Sequence, residues 1–258
     1  RLFMPKEILV TLTYVEQWFS ALAAANRQIP ASFDIDFFLL ALGRIIECDH
    51  HQVLVYLLTL LYKHADLFQG HCRRALFGGF LLRKHFYSLF LHWDEGVRTT
   101  FHQLLLFKLV RSRGTTHANL DDLMRSEEYL AIRADMNDRN DADVELNSEP
   151  VAVDNSIAAK RRKLLLSAAI LTSAALASSL HHECEADDDA IDAELILKLE
   201  AHLRLLCAQL EHPDTTSVFP NSLRVYAARA QREYLIYLNR YLSWSSGVAP
   251  PLISAGQA

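Results

Sequence analysis

Apolar residues recur at helical spacing through most of the first 114 positions of this chain. Pro5 opens the first such segment, at a position where the first turn of a helix tolerates proline. The spacing of i, i+3 and i+4 that marks one face of a helix is followed by Ile8, Leu9, Leu12, Val15, Trp18, Phe19 and Leu22. A second helix is predicted from Phe33 to about Glu47, and its largely apolar surface needs cover on more than one side.

Two aspartates precede the next strong helices. Asp49 is predicted to cap a helix that carries Val53, and Asp94 to cap a helix that carries Val97. The two valines lie 44 positions apart, inside the period of about 40–47 residues that HEAT and armadillo repeats show. The alternative is an irregular helical bundle in which both aspartates are ordinary N-caps.

Shorter helices are predicted between these two. They cover residues 72–83 and 85–91, with Gly70 and the pair Gly78–Gly79 as breaks. The helix after Asp94 is predicted to be closed by Gly114.

The second half of the chain begins with a change of pattern. Residues 135–156 are acidic and poor in apolar side chains, which predicts a disordered loop, because such a segment cannot offset its ordering entropy by burial. Helix is predicted again at 157–180, an acidic hinge at 183–189, a helix at 190–210, a connection at 213–220 and a final helix from Pro220.

Composition supports a helical protein. The chain is 51% hydrophobic and has only eight glycines and seven prolines in 258 residues, which favours long helices over sheets with frequent turns. The formal charge of -5 excludes a globally basic nucleic-acid binder. The four cysteines are scattered, which indicates a reducing compartment. The chain opens with Arg1 and reads as a piece of a longer protein.

These patterns predict an all-α fold of stacked antiparallel helices, either HEAT- or armadillo-like or an irregular α–α superhelix. Four segments are expected: a helical repeat block at 1–134, the acidic disordered loop at 135–156, C-terminal helices at 157–244 that pack on the same stack, and a flexible tail at 245–258.

One block of the chain resembles a known family. The block contains Asp-His-His-Gln-Val-Leu at 49–54, His-Ala-Asp-Leu-Phe at 64–68, Phe-Leu-His-Trp at 90–93 and Val-Arg at 97–98. These stretches resemble the fungal and amoebozoan domain-of-unknown-function family 1765. The resemblance covers about residues 36–113 and more weakly 220–244. It implies a helical, scaffold-like intracellular protein and supplies no site residues.

Catalytic and metal-binding motifs are missing from the sequence. The clusters Cys48-Asp49-His50-His51 and His181-His182-Glu183-Cys184 place histidines next to each other, where they point to different faces of a helix. No His-Glu-x-x-His, Gly-x-Ser-x-Gly or phosphate-binding glycine loop occurs. We therefore expect no enzyme activity, no metal site and no cofactor.

Basic residues in the central block are the candidates for binding a protein partner. A groove between successive helix pairs is the expected site for a partner helix or extended peptide. The candidate residues are Arg73, Arg74, Arg83, Lys84 and Arg98. Binding of nucleic acid is not expected.

A second basic cluster suggests an alternative function. It consists of Lys160, Arg161, Arg162 and Lys163. The apolar segment 164–180 follows it and is short for a membrane span of ~20 residues. The cluster could be a targeting signal, the exposed first turn of a packed helix, or the contact of a membrane-peripheral protein. The expected location is cytoplasmic, with membrane association as the alternative.

Overall fold

The described part of the chain is almost entirely helical. The structure is a computed structural model that describes residues 4–30, 32–110, 186–211 and 219–242. Its helices are α1 (Pro5–Ala24), α2 (Ile35–Glu47), α3 (His51–His64), α4 (Gly70–Arg73, continued as the π-helix Arg74–Lys84), α5 (Phe86–Phe90), α6 (Glu95–Leu104, continued as the π-helix Leu105–Leu109), α7 (Ala186–Glu211) and α8 (Asn221–Leu242). A 3-10 turn, Ala65–Leu67, follows α3. The described ranges contain no strand, and the predicted all-α class is confirmed.

Local sequence signals set the beginnings of several helices. Pro5 is the first residue of α1, as expected. The Asp94 side chain accepts a hydrogen bond from the Val97 N–H at 3.0 Å and caps α6, as expected. Asp34 caps α2 in the same way through the Phe37 N–H at 2.9 Å. Each cap satisfies one of the N–H groups that the first turn of a helix leaves without an intrahelical partner.

The prediction that Asp49 caps α3 is wrong. Asp49 has a φ of 52° and lies in the left-handed region, just after the end of α2. His50 is the N-cap residue of α3, and its side chain makes no capping hydrogen bond. The connection between the two helices is very short, so Asp49 takes the left-handed conformation that aspartate tolerates better than most residues. Its carboxylate is directed to His92 instead.

The predicted break at Gly78–Gly79 is also wrong. The helix continues from Gly70 to Lys84, first as an α-helix and then as a π-helix. Phe77 and Leu81, on either side of the two glycines, are fully buried. Packing against neighbouring helices therefore overrides the low helix propensity of glycine.

The first residues of the two C-terminal helices agree with the prediction for α8 and differ from it for α7. Helix α7 begins at Ala186, so the last part of the predicted hinge at 183–189 belongs to the helix. Helix α8 begins directly after Pro220, as expected. The predicted closing glycine Gly114, the loop at 135–156, the helix at 157–180 and the tail at 245–258 lie outside the described residues.

Four helices form a first row, in the order α1, α3, α6 and α8. Thr13 of α1 contacts Tyr56 of α3, and further along both helices Phe19 packs on Phe68 just after α3. Helices α3 and α6 meet near their starts through Asp49 and His92, and near their ends through Asp66 and Lys108. Contacts that progress in the same direction along both partners show that these neighbours run parallel.

Helix α8 continues the first row beyond α6. The Glu233 carboxylate contacts Arg98, and further along Tyr241 packs on Phe107 with ring centroids 5.5 Å apart. The direction of α8 is therefore also parallel to α6.

A second row contains α2, α4 and α7. The Lys84 ammonium lies over Gly43 of α2, 3.5 Å from the position a Cβ would take there. On the other side of α4, Arg73 pairs with Asp192 of α7 and Gly78 lies against Leu195. Gly43 allows α2 to approach α4 closely, and Gly78 allows α7 to approach α4 closely. A larger side chain at either position would push the two helices apart.

The core between these helices is rich in phenylalanine. Its fully buried aromatic members are Phe19, Phe68, Phe77, Phe86, Phe90, Phe101 and Phe107. Complete burial of one such side chain contributes about 1.5–3 kcal/mol. The two rows are therefore held together by a continuous apolar interior.

Alanine at the two adjacent glycines of α4 is expected to have opposite effects. A Cβ at Gly78 would lie 3.0 Å from the buried Leu195 side chain, whereas a Cβ at Gly79 would meet nothing within 4 Å. Gly79→Ala should stabilise the fold by about 0.5–1 kcal/mol. Gly78→Ala should destabilise it, because overpacking costs about 1–3 kcal/mol. Urea denaturation of both variants tests this, and equal effects would contradict the close packing of α4 on α7.

Candidate interaction surface

The structure separates the five predicted partner-binding residues into two groups. Arg73 and Arg98 are buried, whereas Arg74, Arg83 and Lys84 are exposed. Arg73 donates to Asp192 of α7 at 2.5 Å and to the Lys108 carbonyl at 3.0 Å. The guanidinium of Arg73 therefore joins α4 to α7, and the interpretation of Arg73 as a surface residue for a partner is corrected.

Arg98 has a similar internal role on the other row. Its Nε and Nη2 each donate to one carboxylate oxygen of Glu233 at 2.7 Å. Its Nη1 donates to the carbonyls of His92 and Trp93 at 2.6 and 2.9 Å. A guanidinium that binds a carboxylate with two parallel bonds is held in one orientation. Arg98 therefore fixes α8 to the turn before α6 and does not face a partner.

The exposed basic residues differ in whether an acidic side chain pairs with them. Arg74 donates to Glu194 at 3.2 Å, and Lys198 binds the other oxygen of the same carboxylate at 2.5 Å. Arg83 and Lys84 make no ion pair with another described residue. Of the five predicted residues, Arg83 and Lys84 are thus the exposed ones without an ion pair to another described residue.

The second predicted basic cluster, Lys160 to Lys163, lies outside the described residues, as does the cluster at 181–184. None of the described helices combines the length and the apolar character that crossing a membrane requires. Within the described ranges, His, Cys, Asp and Glu side chains form no group of three that could hold a metal ion.

Asp49, His92 and Asp94 are joined by a series of hydrogen bonds, in which His92 and Asp49 resemble a catalytic acid–base pair. The Asp94 N–H donates to His92 Nδ1 at 3.0 Å, so the proton of the neutral ring is on Nε2. Nε2 donates to Asp49 Oδ1 at 2.7 Å. Both ring nitrogens of His92 are hydrogen-bonded, one to Asp49 and the other to the Asp94 N–H. His92 therefore has no nitrogen available for proton transfer to a substrate. This chain of hydrogen bonds instead joins the starts of α3 and α6.

Several histidines lie in the interior. Burial, together with a smaller effect of the Arg98 charge, lowers the pKa of His102 to about 3. Burial likewise lowers the pKa of His85 to about 4, with a smaller contribution from Lys84. Burial also lowers the pKa of His64 and His202. These rings pack against aromatic side chains, as His102 does on Phe90 with centroids 4.3 Å apart, and they belong to the core.

Large apolar side chains are exposed at one end of the two rows. Helix α1 packs on α3 through buried Leu12 and Phe19, and α2 approaches α4 at Gly43. On the opposite sides of the same two helices, large side chains face solvent. We call this surface the end face, and it consists of Val10, Tyr14 and Trp18 of α1 and Phe37 and Leu40 of α2.

The two helices of the end face are connected by aromatic contacts. The Trp18 ring stacks on Phe33 with centroids 5.6 Å apart, and Phe33 packs on Phe38 at 5.4 Å. Tyr14 and Phe37 are 66% and 69% exposed. Exposed apolar side chains that follow each other on one side of a helix, as Val10, Tyr14 and Trp18 do, mark an interaction site more often than scattered single residues do.

The end face contains few charged residues, although Asp36 and Arg44 are exposed one turn before and after Leu40. Between Glu7 and Arg27 the only charged residue is Glu16. Its carboxylate is directed to α3, where it accepts from Tyr56 and from Lys63. Between Asp36 and Arg44 no charged residue occurs at all. Depletion of charge together with enrichment in tyrosine, tryptophan and phenylalanine is the compositional signal of an interface core.

Sequence reasoning did not identify the end face, although a signal for it exists. The stripe at positions 10, 14 and 18 follows helical spacing on the side of α1 opposite Leu12 and Phe19. A helix with apolar residues on two sides and no outward charge needs cover on both sides.

Comparison with known proteins supports the resemblance seen in the sequence. The model of the family described as "Protein of unknown function (DUF1765)" matches residues 1–109. The match begins earlier than the predicted residue 36 and ends before 220–244, where the weaker resemblance stays a prediction. No curated protein and no solved structure shows a significant match to the chain. Residues 1–109, the segment that contains α1 to α6, are thus similar to the DUF1765 family.

Proposed function

We propose that this chain is a non-catalytic helical scaffold that binds a protein partner through its end face. The observation that carries the proposal is the exposure of Tyr14, Trp18 and Phe37 on helical segments that contain few charged residues. Burial of such side chains in a complex removes apolar area from water, and aromatic residues dominate the binding energy of most interfaces.

We also propose that the two rows form a stack of the HEAT or armadillo kind. Supporting contacts between α1 and α3 and between α3 and α6, the first three helices of the first row, occur at similar sequence separations. Glu16 and Tyr56 are 40 residues apart, Glu16 and Lys63 are 47 apart, and Asp66 and Lys108 are 42 apart. These separations fall inside the period of about 40–47 residues of such repeats. Stacks of this kind present extended surfaces to partners.

The internal roles of Arg73 and Arg98 favour the end face over the predicted basic groove. Both guanidinium groups are engaged by carboxylates of the C-terminal helices, and Arg74 shares Glu194 with Lys198. The remaining candidates, Arg83 and Lys84, form a short basic segment that can contribute at the rim of an interface. Rim charges change association rates more than affinity.

Proximity labelling in cells tests the proposal. The double variant Tyr14→Glu/Phe37→Glu is expected to lose at least one labelled neighbour that the unmodified chain retains, because two buried carboxylates would oppose docking. The matched control is Val225→Glu on α8, where the side chain is 81% exposed at a distant position. Identical labelling by the unmodified chain and the double variant would contradict the proposal. Loss of labelling in Arg83→Ala/Lys84→Ala alone would favour the basic segment instead.

A further inference from the structure

Trp93 lies exposed in the turn between α5 and α6, and 47% of its surface is accessible. Two imidazole rings border the indole. The ring of His51, at the start of α3, has its centroid 5.7 Å away, and the ring of His92 is at 5.4 Å. His92 in turn donates to the Asp49 carboxylate, so the width of one imidazole ring separates this carboxylate from the indole. We call these four residues, together with Asp94, the Trp93 corner.

Hydrogen bonds hold the backbone of Trp93 in one conformation. Its carbonyl accepts from Arg98 Nη1 at 2.9 Å, and the carbonyl of the preceding His92 accepts from the same nitrogen at 2.6 Å. The N–H of the following residue, Asp94, donates to the His92 ring at 3.0 Å. A residue that is ordered before its partner arrives loses less conformational entropy on association. The exposed indole is therefore pre-organised for binding.

The charges beside the indole are negative. Residues 45–62 and 85–97, which contain the starts of α3 and α6, include no lysine or arginine. Asp49, whose side chain is 62% exposed, and Asp94 form no ion pair with a lysine or arginine of the described ranges. Arg229 contacts this region from α8, and two carboxylates of its own compensate its charge. The two aspartates thus leave negative charge next to the exposed ring.

An aromatic face beside carboxylates fits a cationic side chain. Among aromatic rings, the indole attracts a cation most strongly across its face. A guanidinium stacks on such a ring and can bind a carboxylate with two parallel hydrogen bonds, which an ammonium cannot do. An acidic partner would be repelled by Asp49 and Asp94. An apolar partner would remove the two carboxylates from water without pairing them. The corner therefore favours arginine over apolar and acidic side chains.

We propose that the Trp93 corner binds an arginine side chain in a basic segment of a partner protein, with the guanidinium on the indole and paired with the Asp49 carboxylate. This inference goes beyond the proposed function, because the corner shares no residue with the end face. It adds a charged contact to the apolar one.

Fluorescence anisotropy of a labelled, acetylated peptide of alternating glycine and arginine tests the proposal. The salt concentration is about 0.15 M, at which attraction between distant charges is screened. The unmodified chain is expected to bind this peptide more tightly than the matching peptide of glycine and lysine. Trp93→Ala should weaken binding about 30-fold, the effect of removing an interface hot spot. Trp93→Phe keeps a ring that attracts cations less and should lie between the two. Circular dichroism checks that each variant is folded.

Matched variants separate the corner from general charge effects. Asp49→Asn and Asp36→Asn each remove one exposed charge, at opposite ends of α2 and about 20 Å apart. Asparagine also tolerates the left-handed conformation of residue 49. Asp49→Asn should weaken binding about 10-fold, the loss of a hydrogen bond between charged groups, and Asp36→Asn should have no effect. Trp18→Ala, in the end face, should also leave the affinity unchanged.

Four outcomes would overturn the proposal. They are no binding of the arginine peptide at about 1 mM, an unchanged affinity of Trp93→Ala, equal losses in the two aspartate variants, and equal affinities for the arginine and lysine peptides. Loss of binding in Trp18→Ala would place the peptide on the end face and overturn the proposal as well. The labelling experiment with Tyr14→Glu/Phe37→Glu tests the end face independently of these results.

Discussion

Replacement of Arg98 by methionine is expected to destabilise the fold by about 3–5 kcal/mol, the cost of breaking a buried ion pair by removing one partner. Arg98 is fully buried and forms two hydrogen bonds to Glu233. Its loss also leaves the carbonyls of His92 and Trp93 without their donor. A folded domain is stable by only about 5–15 kcal/mol, so this variant should unfold at much lower urea concentrations.

Arg229 provides a matched control for this prediction. It donates to the same Glu233 carboxylate at 3.0 Å, but its side chain is 54% exposed. Arg229→Met should therefore cost no more than about 1 kcal/mol, the range of exposed ion pairs. The two arginines share Glu233, but Arg98 is buried and also binds two carbonyls, whereas Arg229 is exposed and also pairs with the exposed Glu95. The comparison therefore contrasts a buried and an exposed guanidinium on the same carboxylate. Equal costs for the two variants would contradict the role assigned to Arg98.

A double variant tests whether the cost of Arg98→Met arises from the unpaired carboxylate. Arg98→Met/Glu233→Met removes both charges and replaces them with flexible apolar side chains. Pairs of this kind are often neutral or favourable relative to the ion pair. The double variant should therefore be more stable than either single variant, which a double-mutant cycle measures as coupling. Simple addition of the two single effects would show that Arg98 and Glu233 act independently.

Buried arginines also show where sequence reasoning fails. Arg73 and Arg98 were predicted as surface residues because arginine is rarely buried unless it is paired. Their partners Asp192 and Glu233 lie 119 and 135 residues away. No local pattern in the sequence connects residues so far apart. The pairs become visible only when α7 and α8 are placed against α4 and α6.

Local features were predicted more reliably than features that depend on tertiary packing. The helix class, Pro5 at the start of α1 and the cap by Asp94 follow from neighbouring residues, and the structure agrees. Asp49 has the same local signal as Asp94, but the short connection after α2 gives it a different conformation. Gly78 lies inside a continuous helix because buried neighbours on both sides hold it there.

The end face depends partly on local sequence and partly on tertiary packing. Its residues are on two helices that the sequence predicts, and the spacing of the residues on α1 is visible in the sequence. Which of two apolar stripes faces α3 depends on how α1 packs, and the sequence alone does not decide this. Once Leu12 and Phe19 are seen to be buried, the stripe around Tyr14 must face outward.

Acidification is expected to destabilise the fold by about 4 kcal/mol between pH 7.5 and pH 5 through His85 and His102 alone. The ordinary histidine pKa is 6.5, whereas in the folded chain it falls to about 4 for His85 and about 3 for His102. Between these values the unfolded chain binds protons that the folded chain does not. The stabilising contribution is therefore complete above pH 6.5 and decreases as the pH falls.

The slope of stability against pH gives a direct measurement. Near pH 5 the two histidines should add about two protons to the uptake on unfolding, at about 1.4 kcal/mol per pH unit for each proton. Ordinary carboxyl groups have pKa values near 4, so they contribute little above pH 5. The pKa of His64 and His202 is shifted in the same direction and can only increase the slope.

Substitution of His102 separates its contribution to the proton uptake on unfolding from that of the other titrating groups. His102→Phe keeps a planar ring between Phe90 and Tyr234 and removes one titrating group. Any packing cost of the larger ring is independent of pH, so the slope changes although the absolute stability can shift either way. We expect about one proton less in the uptake near pH 5. If His102→Phe has the same slope as the unmodified chain, His102 accepts its proton without unfolding, and its neutral, buried state does not stabilise the contact between α6 and α8.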